Sequence, residues 1–182
     1  MNIRLTLAKV CIPASLKRKK LAELFSRTGC ALQTETPPLA GLTRKAMLQK
    51  YALFTKEQAE KTLRKSQDAD RARSRMFQTA YELGGQTRKS LNISGREEFM
   101  AAARILYRIL DIDFQGDARG EIIIRTCFFS QSYSPEVCRL MSALDEGILA
   151  GLAGGGRLVF SQRLTEGKDC CRAGFSFDKR TS

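Results

Sequence analysis

A cysteine and an aspartate on one predicted helix are the first residues of this chain that could do chemistry. Ser134 followed by Pro135 has the form of an N-cap with proline at the first helical position, which predicts a helix beginning there. Cys138 then falls near the helix start, where the macrodipole favours a thiolate. Asp145 follows on the same face, about 10 Å further along the axis. We therefore expect both side chains to line one pocket.

A second cysteine precedes this helix. Cys127 ends a segment rich in β-branched and aromatic residues, and the chain between it and Cys138 covers a loop and about one helical turn. The two thiols can therefore approach each other. Free cysteine is also among the most buried residue types, so both can equally be small hydrophobic side chains of the core. The spacing leaves both interpretations open.

Two adjacent cysteines, Cys170 and Cys171, precede the last predicted strand. Neighbouring side chains of a strand point to opposite faces, so we expect only one of the pair to face the core. Thiolates from Cys127, Cys138 and one of this pair are a conceivable zinc ligand set, but the two-residue spacing of chelating cysteines is missing. We expect no metal and no cofactor.

The chain contains no histidine. This excludes serine and cysteine triads that use histidine as the base, and zinc sites that mix cysteine with histidine. Catalysis would depend on carboxyl, thiol, amine or hydroxyl groups. The six cysteines belong to a chain with no evident signal peptide and no apolar run of about 20 residues, which favours free thiols in the cytoplasm and no membrane span.

The formal net charge is +12, and nearly all of the excess lies in residues 1–100. A basic surface of this kind can bind nucleic acid through phosphate contacts. Aromatic residues that would stack on bases do not interleave with the basic ones, so we expect a solvated helix face and no nucleic-acid partner. The residues concerned are Lys17, Arg18, Lys19, Lys20, Arg71, Arg73, Arg75, Arg88 and Lys89.

The first half of the chain is predicted to be helical. Residues 13–28 carry apolar side chains at helical spacing, and Gly29 stands where a C-terminal cap is expected. Pro37 and Pro38 then interrupt the pattern, because consecutive prolines cannot enter a helix interior. We therefore expect residues 1–35 to be a loosely attached basic arm.

Two helices are expected between residues 39 and 90, and a third after them. Thr55 and Gln58 have the spacing of a capping box that would begin the second helix. Ser94 and Glu97 have the same spacing and would begin the third.

The second half changes character. Three strands are expected, at residues 121–129, 157–164 and 173–177, with the helix of Cys138 between the first two. The sequence thus predicts one α+β domain over residues 1–182: a helical N-terminal half, residues 39–110, packed on a small antiparallel sheet with one further helix between strands. The strand-rich half, residues 111–182, carries most of the cysteines.

One series of residues in this second half resembles a known family. The series is Arg125, Cys127, Cys138, Asp145, Arg163, Leu164, Glu166, Gly167, Cys171, Phe175 and Phe177. Its order resembles the C-terminal half of the L-2-amino-thiazoline-4-carboxylic acid hydrolase family. The last residues of the series, a glycine, a cysteine and two phenylalanines, are also similar to the C-terminal end of the 4-vinyl reductase domain, an α+β domain that binds small molecules.

The resemblance implies a hydrolase that acts on a carbon–nitrogen bond of a small cyclic amidine. Its substrate would be 2-amino-thiazoline-4-carboxylate and its product N-carbamoyl-cysteine. The implied catalytic residues are Cys138 or Cys127, attacking the amidine carbon as a thiolate, and Asp145, holding the amidinium. Asp145 can equally be the base that activates water, with the thiols only shaping the pocket. The implied substrate-binding residues are Arg125, pairing with the carboxylate, and Cys171.

Two other functions remain open. The relatives of the vinyl-reductase kind imply a small-molecule-binding sensor or carrier without turnover. The basic first half leaves open an interaction protein that touches nucleic acid, whose binding would weaken steeply with salt. A homo-oligomeric state is compatible with each of them.

Overall fold

The computed structural model describes residues 13–178, without the side chains of residues 66 and 67. Within that range the chain forms five α-helices and a four-stranded antiparallel sheet, and the predicted α+β fold is confirmed. The helices are α1 (Ala14–Ala31), α2 (Arg44–Arg64), α3 (Ser66–Leu91), α4 (Arg96–Ile109) and α5 (Pro135–Ala153); the strands are β1 (Ile112–Gly116), β2 (Glu121–Cys127), β3 (Arg157–Gln162) and β4 (Cys171–Ser176). Short 3₁₀ turns follow β2 at Phe128–Gln131 and β3 at Leu164–Glu166.

The strands lie in the order β1-β2-β4-β3, and every neighbouring pair is antiparallel. Helix α5 connects β2 to β3, as predicted for the helix between strands. The sequence did not indicate β1, whose short length gives only two inward apolar side chains, Ile112 and Phe114, alternating with polar ones. Phe114 is 2% exposed, so this edge strand contributes directly to the core.

Helices α3 and α5 pack against each other at unusually close range. A side chain at Gly147 would collide with the carbonyl of Phe77, and one at Gly151 with that of Tyr81. The absence of a Cβ at both positions lets the two backbones approach. Helix α5 is thereby held firmly along α3, which fixes the face that carries Cys138 and Asp145.

The prediction of a loosely attached arm is wrong for the part of it that the structure describes, residues 13–35. Leu21 and Phe25 of α1 are fully buried in the core. The Phe25 ring lies 5.2 Å from that of Tyr51 and 5.0 Å from that of Phe54. The two prolines lie in the segment that connects α1 to α2. They do not prevent the apolar face of α1 from packing against the core, because burial of that face is favourable. Residues 1–12, including Cys11, lie outside the described residues.

Two predicted helix starts are also wrong. The break between α2 and α3 falls at Lys65, not at Thr55. The Thr55 hydroxyl donates to the carbonyl of Tyr51 within α2, at 2.7 Å, so it is not a cap. Helix α4 begins after Gly95, and the N–H of Ser94 donates to Glu98 at 2.9 Å, one residue beyond the predicted partner.

Other helix ends follow the sequence more closely. The Ser134 hydroxyl accepts from the N–H of Val137 at 3.3 Å, as predicted for the cap of α5. That helix ends at Gly154, whose φ of +80° is the left-handed conformation typical of a glycine C-cap. Helix α1, by contrast, continues through Gly29 to Ala31. None of the helices in residues 13–178 is both long and apolar enough to cross a membrane.

Candidate functional site

A cavity of about 160 Å³ lies between the helices and the sheet. All five helices and all four strands contribute to its lining, which is mostly apolar. Its chemically distinctive residues are Tyr107, Cys127, Cys138, Asp145, Arg163 and Cys171. A dry engineered cavity of about 150 Å³ holds benzene, so this one has room for a compound with a single ring.

Asp145 is the acidic residue among these distinctive cavity residues. It projects from α5, and its Oδ1 accepts a hydrogen bond of 2.7 Å from the Tyr107 hydroxyl. Burial raises the pKa of the Asp145 carboxyl to about 6, although the bond from Tyr107 and the charge of Arg163 both act to lower it. A carboxyl with this pKa exchanges its proton near neutral pH, which suits a general base or acid.

Tyr107 fixes the orientation of that carboxylate. The residue projects from α4, and its ring stacks on Phe114 of β1 at 4.7 Å between centroids. Burial raises the pKa of the Tyr107 hydroxyl, and the negative charge of Asp145 raises it further. Tyr107 therefore stays protonated and donates a hydrogen bond to one oxygen of Asp145, which holds the carboxylate in a defined position.

Arg163 supplies a positive charge to the same cavity. Its Nη1 donates to the Ser142 hydroxyl at 2.8 Å, and Ser142 in turn donates to the carbonyl of Cys138 at 2.7 Å. The guanidinium lies 4.0 Å from the centre of the Phe160 ring, a cation–π contact. Helix α5 and strand β3 thus hold the guanidinium from two sides.

The surroundings of the three cavity cysteines favour the thiol over the thiolate form. Burial raises the pKa of Cys127 to about 12, against N–H groups of Phe129 and Ser130 that lower it. Burial likewise raises the pKa values of Cys138 and Cys171. The expectation of a Cys138 thiolate at the helix N-terminus is therefore not supported, because loss of hydration is the largest influence on its pKa, ahead of the interaction with the Thr165 side chain and the charge of Arg163, which both lower it.

Four of the five predicted site residues meet in this cavity: Cys127, Cys138, Asp145 and Cys171. Arg125 does not. It lies on the exposed face of β2, where its Nη1 donates to Gln115 at 2.7 Å. Side chains alternate along a strand, so Ile124 faces the cavity and Arg125 faces away. Arg125 thus cannot bind a ligand in the cavity.

Sequence reasoning missed Tyr107 and assigned no role to Arg163. Tyr107 is the one polar side chain on the apolar face of α4, and that pattern is the signal that could have singled it out. Arg163 comes directly after β3 and belongs to the series that resembles the hydrolase family, but its spacing alone did not indicate a role in the site. Cys170 and Cys171 are both little exposed, at 9% and 8%, but only Cys171 belongs to the hydrophobic core and lines the cavity. The Cys170 thiol instead accepts from the side-chain amide of Gln162 at 3.3 Å.

Several of the basic residues considered for nucleic-acid binding have structural partners. Arg73 pairs with Glu146 at 2.6 Å, and Arg88 donates to the carbonyl of Ala153 at 2.6 Å, so both tie α3 to α5. Arg75 donates to the carbonyl of Ala31 at 2.8 Å. These three arginines of α3 therefore bind other parts of the same chain, which favours a structural role for them.

The cysteines that the structure describes are all free thiols. Within residues 13–178 no three Cys, Asp or Glu side chains are grouped so that they could hold a metal ion.

Comparison with known proteins adds no family to this description. No protein-family model matches the chain, and no curated protein matches it significantly.

Proposed function

We propose that the protein is a hydrolase of a small cyclic amidine, such as 2-amino-thiazoline-4-carboxylate. The observation that carries this proposal is the Asp145 carboxyl, which lies in a cavity sized for one ring with a pKa of about 6. A carboxylate in such a place attracts an amidinium and can take a proton from water. The resemblance of the cysteine and aspartate series to the thiazoline-carboxylate hydrolases supports the same substrate class.

Asp145 acts as the general base in the proposed reaction. The ionised carboxylate takes a proton from a water molecule, whose oxygen bonds to the amidine carbon. The bond between that carbon and the ring sulfur then breaks, the sulfur receives the proton from Asp145, and the remaining water proton is released to solvent, because the ring nitrogen of the amidinium already carries one. The product is N-carbamoyl-cysteine. The proposed reaction therefore breaks a carbon–sulfur bond, whereas the sequence resemblance implied a reaction at a carbon–nitrogen bond.

The three cavity thiols shape the pocket and do not attack the substrate. A thiol must lose its proton to be a strong nucleophile, and burial of Cys127, Cys138 and Cys171 opposes that loss. This favours the Asp145 mechanism over the thiolate mechanism. The free thiols also fit the cytoplasm, which we propose as the site of the reaction.

A second candidate is a sensor or carrier that binds a small molecule without turnover. The mostly apolar lining of the cavity favours it, since binding pockets are typically apolar with few polar groups. In that case Asp145 would orient a cationic group of the ligand and no water would be activated.

The two functions are separated by incubating the purified protein with 2-amino-thiazoline-4-carboxylate and following N-carbamoyl-cysteine by mass spectrometry. We expect turnover by the wild type, a loss of about 100-fold or more in Asp145→Asn, and retained turnover in Cys138→Ala. kcat should fall as the pH falls through about 6, because Asp145 becomes protonated.

Three other outcomes are informative. Full activity of Asp145→Asn would refute the base role. Loss of turnover in a folded Cys138→Ala variant would restore the thiol nucleophile. Saturable binding of the compound without turnover would favour the sensor or carrier.

A further inference from the structure

Arg163 lines the cavity without a carboxylate partner. Arg73 pairs with Glu146 and Arg44 with Asp111, at 2.6 and 2.9 Å. Arg75 and Arg88 also lack a carboxylate, but each donates to a backbone carbonyl at the end of another helix. In the described part of the chain, no Asp or Glu oxygen lies within ion-pair distance of Arg163, although its guanidinium lines the cavity. A charge withdrawn from water is costly unless an opposite charge meets it.

The guanidinium is also held in place before any ligand binds. Ser142 accepts from one nitrogen, Nη1, and the Phe160 ring supports one face. A guanidinium carries five N–H donors in a planar fork, so donors remain for a ligand in the cavity. Fixing the fork in advance reduces the ordering cost of binding and raises the affinity for a group of matching shape.

Two acidic residues line the cavity, and one of them, Glu23, pairs with Lys20 at 3.0 Å. The other, Asp145, interacts electrostatically with Arg163 without being within ion-pair distance of it. A ligand with a cation at one end and an anion at the other can satisfy both groups at once. A carboxylate matches the guanidinium fork, since both are planar and can form two parallel hydrogen bonds.

We propose that Arg163 is the specificity-determining residue that selects ligands carrying a carboxylate on the ring. The identity of the ring, a cyclic amidine, rests on the proposed function; the requirement for an anion rests on Arg163 alone. The role that the family resemblance implied for Arg125 thereby belongs to a residue on the other side of the sheet, inside the cavity.

The test compares a carboxylate with its neutral counterpart, for two rings. Calorimetry measures Kd for 2-amino-thiazoline-4-carboxylate against 2-amino-thiazoline, and for benzoate against benzamide. The proteins are the wild type, Arg163→Gln, Arg163→Lys, and Arg125→Gln, which removes an equal charge from the exposed face of β2. Thermal melting establishes that each variant is folded.

We expect the wild type and Arg125→Gln to prefer each carboxylate. Arg163→Gln should lose about 10- to 100-fold in affinity for the carboxylates and little for the neutral compounds. Arg163→Lys should recover part of the preference, because it keeps the charge and loses the fork.

The benzoate pair makes this proposal independent of the hydrolase. If no thiazoline compound is hydrolysed but benzoate is preferred through Arg163, the anion site stands and the proposed function fails. A preference that persists in Arg163→Gln, or a wild type that prefers neither carboxylate, overturns the anion site.

Discussion

Replacing Asp145 by Asn is expected to stabilise the folded protein at neutral pH while removing the proposed base. Burial raises the pKa of this carboxyl from 3.8 to about 6. A rise of about 2 pKa units corresponds to about 3 kcal/mol of difference between the protonated and ionised forms. The asparagine oxygen can still accept the hydrogen bond from Tyr107, so the variant loses the charge and keeps the contact.

The sign of the effect follows from the direction of this shift. Because the pKa is higher in the folded than in the unfolded chain, the folded state binds the proton more tightly. The stabilising contribution is therefore complete below about pH 4 and is lost as the pH rises through about 6. Asparagine has no proton to lose, so Asp145→Asn should exceed the wild type by about 3 kcal/mol in free energy of unfolding at pH 8 and match it near pH 4.

Urea denaturation followed by circular dichroism, at intervals from pH 4 to pH 8, measures this difference. The matched control is Asp70→Asn, which removes one negative charge from an exposed position of α3. A difference between Asp145→Asn and wild type that stays constant with pH would refute the buried-carboxyl reasoning. So would a variant that is less stable than the wild type at pH 8.

Two further outcomes test the cysteines and the first helix. Iodoacetamide at pH 7 should label exposed Cys30 much faster than Cys127 or Cys171, as peptide mass spectrometry can follow, and equal rates would contradict the buried thiols. Phe25→Ala should lower the free energy of unfolding by about 3–5 kcal/mol, whereas Leu16→Ala on the same helix, 44% exposed in the wild type, should change it by no more than about 0.5 kcal/mol. Little change in Phe25→Ala, measured by urea denaturation, would restore the loosely attached arm.

Local patterns predicted much of the fold because the forces that they express are local. Ser134 and Pro135 begin α5 as expected, since a cap and a fixed φ act within one turn. The capping box at Thr55 failed for a non-local reason. Its hydroxyl bonds within a continuous helix that the surrounding core stabilises, and tertiary packing there prevails over the short motif.

The candidate site was predicted where periodicity determined it. Cys138 and Asp145 share the cavity face of α5 because they are two helical turns apart, and the α+β order followed from a change in pattern along the chain. The sequence alone also excluded histidine chemistry. These conclusions needed only composition and the repeat of a single element.

Tertiary structure decided which charges meet in the cavity and what protonation they favour. Tyr107 reaches Asp145 from a different helix, and Arg163 enters from beyond β3, so neither contact is encoded in local spacing. The pKa values of Asp145 and Cys138 rise because the assembled core removes water from both groups. The extent of desolvation depends on every helix and strand that covers a side chain, so no single stretch of sequence determines it.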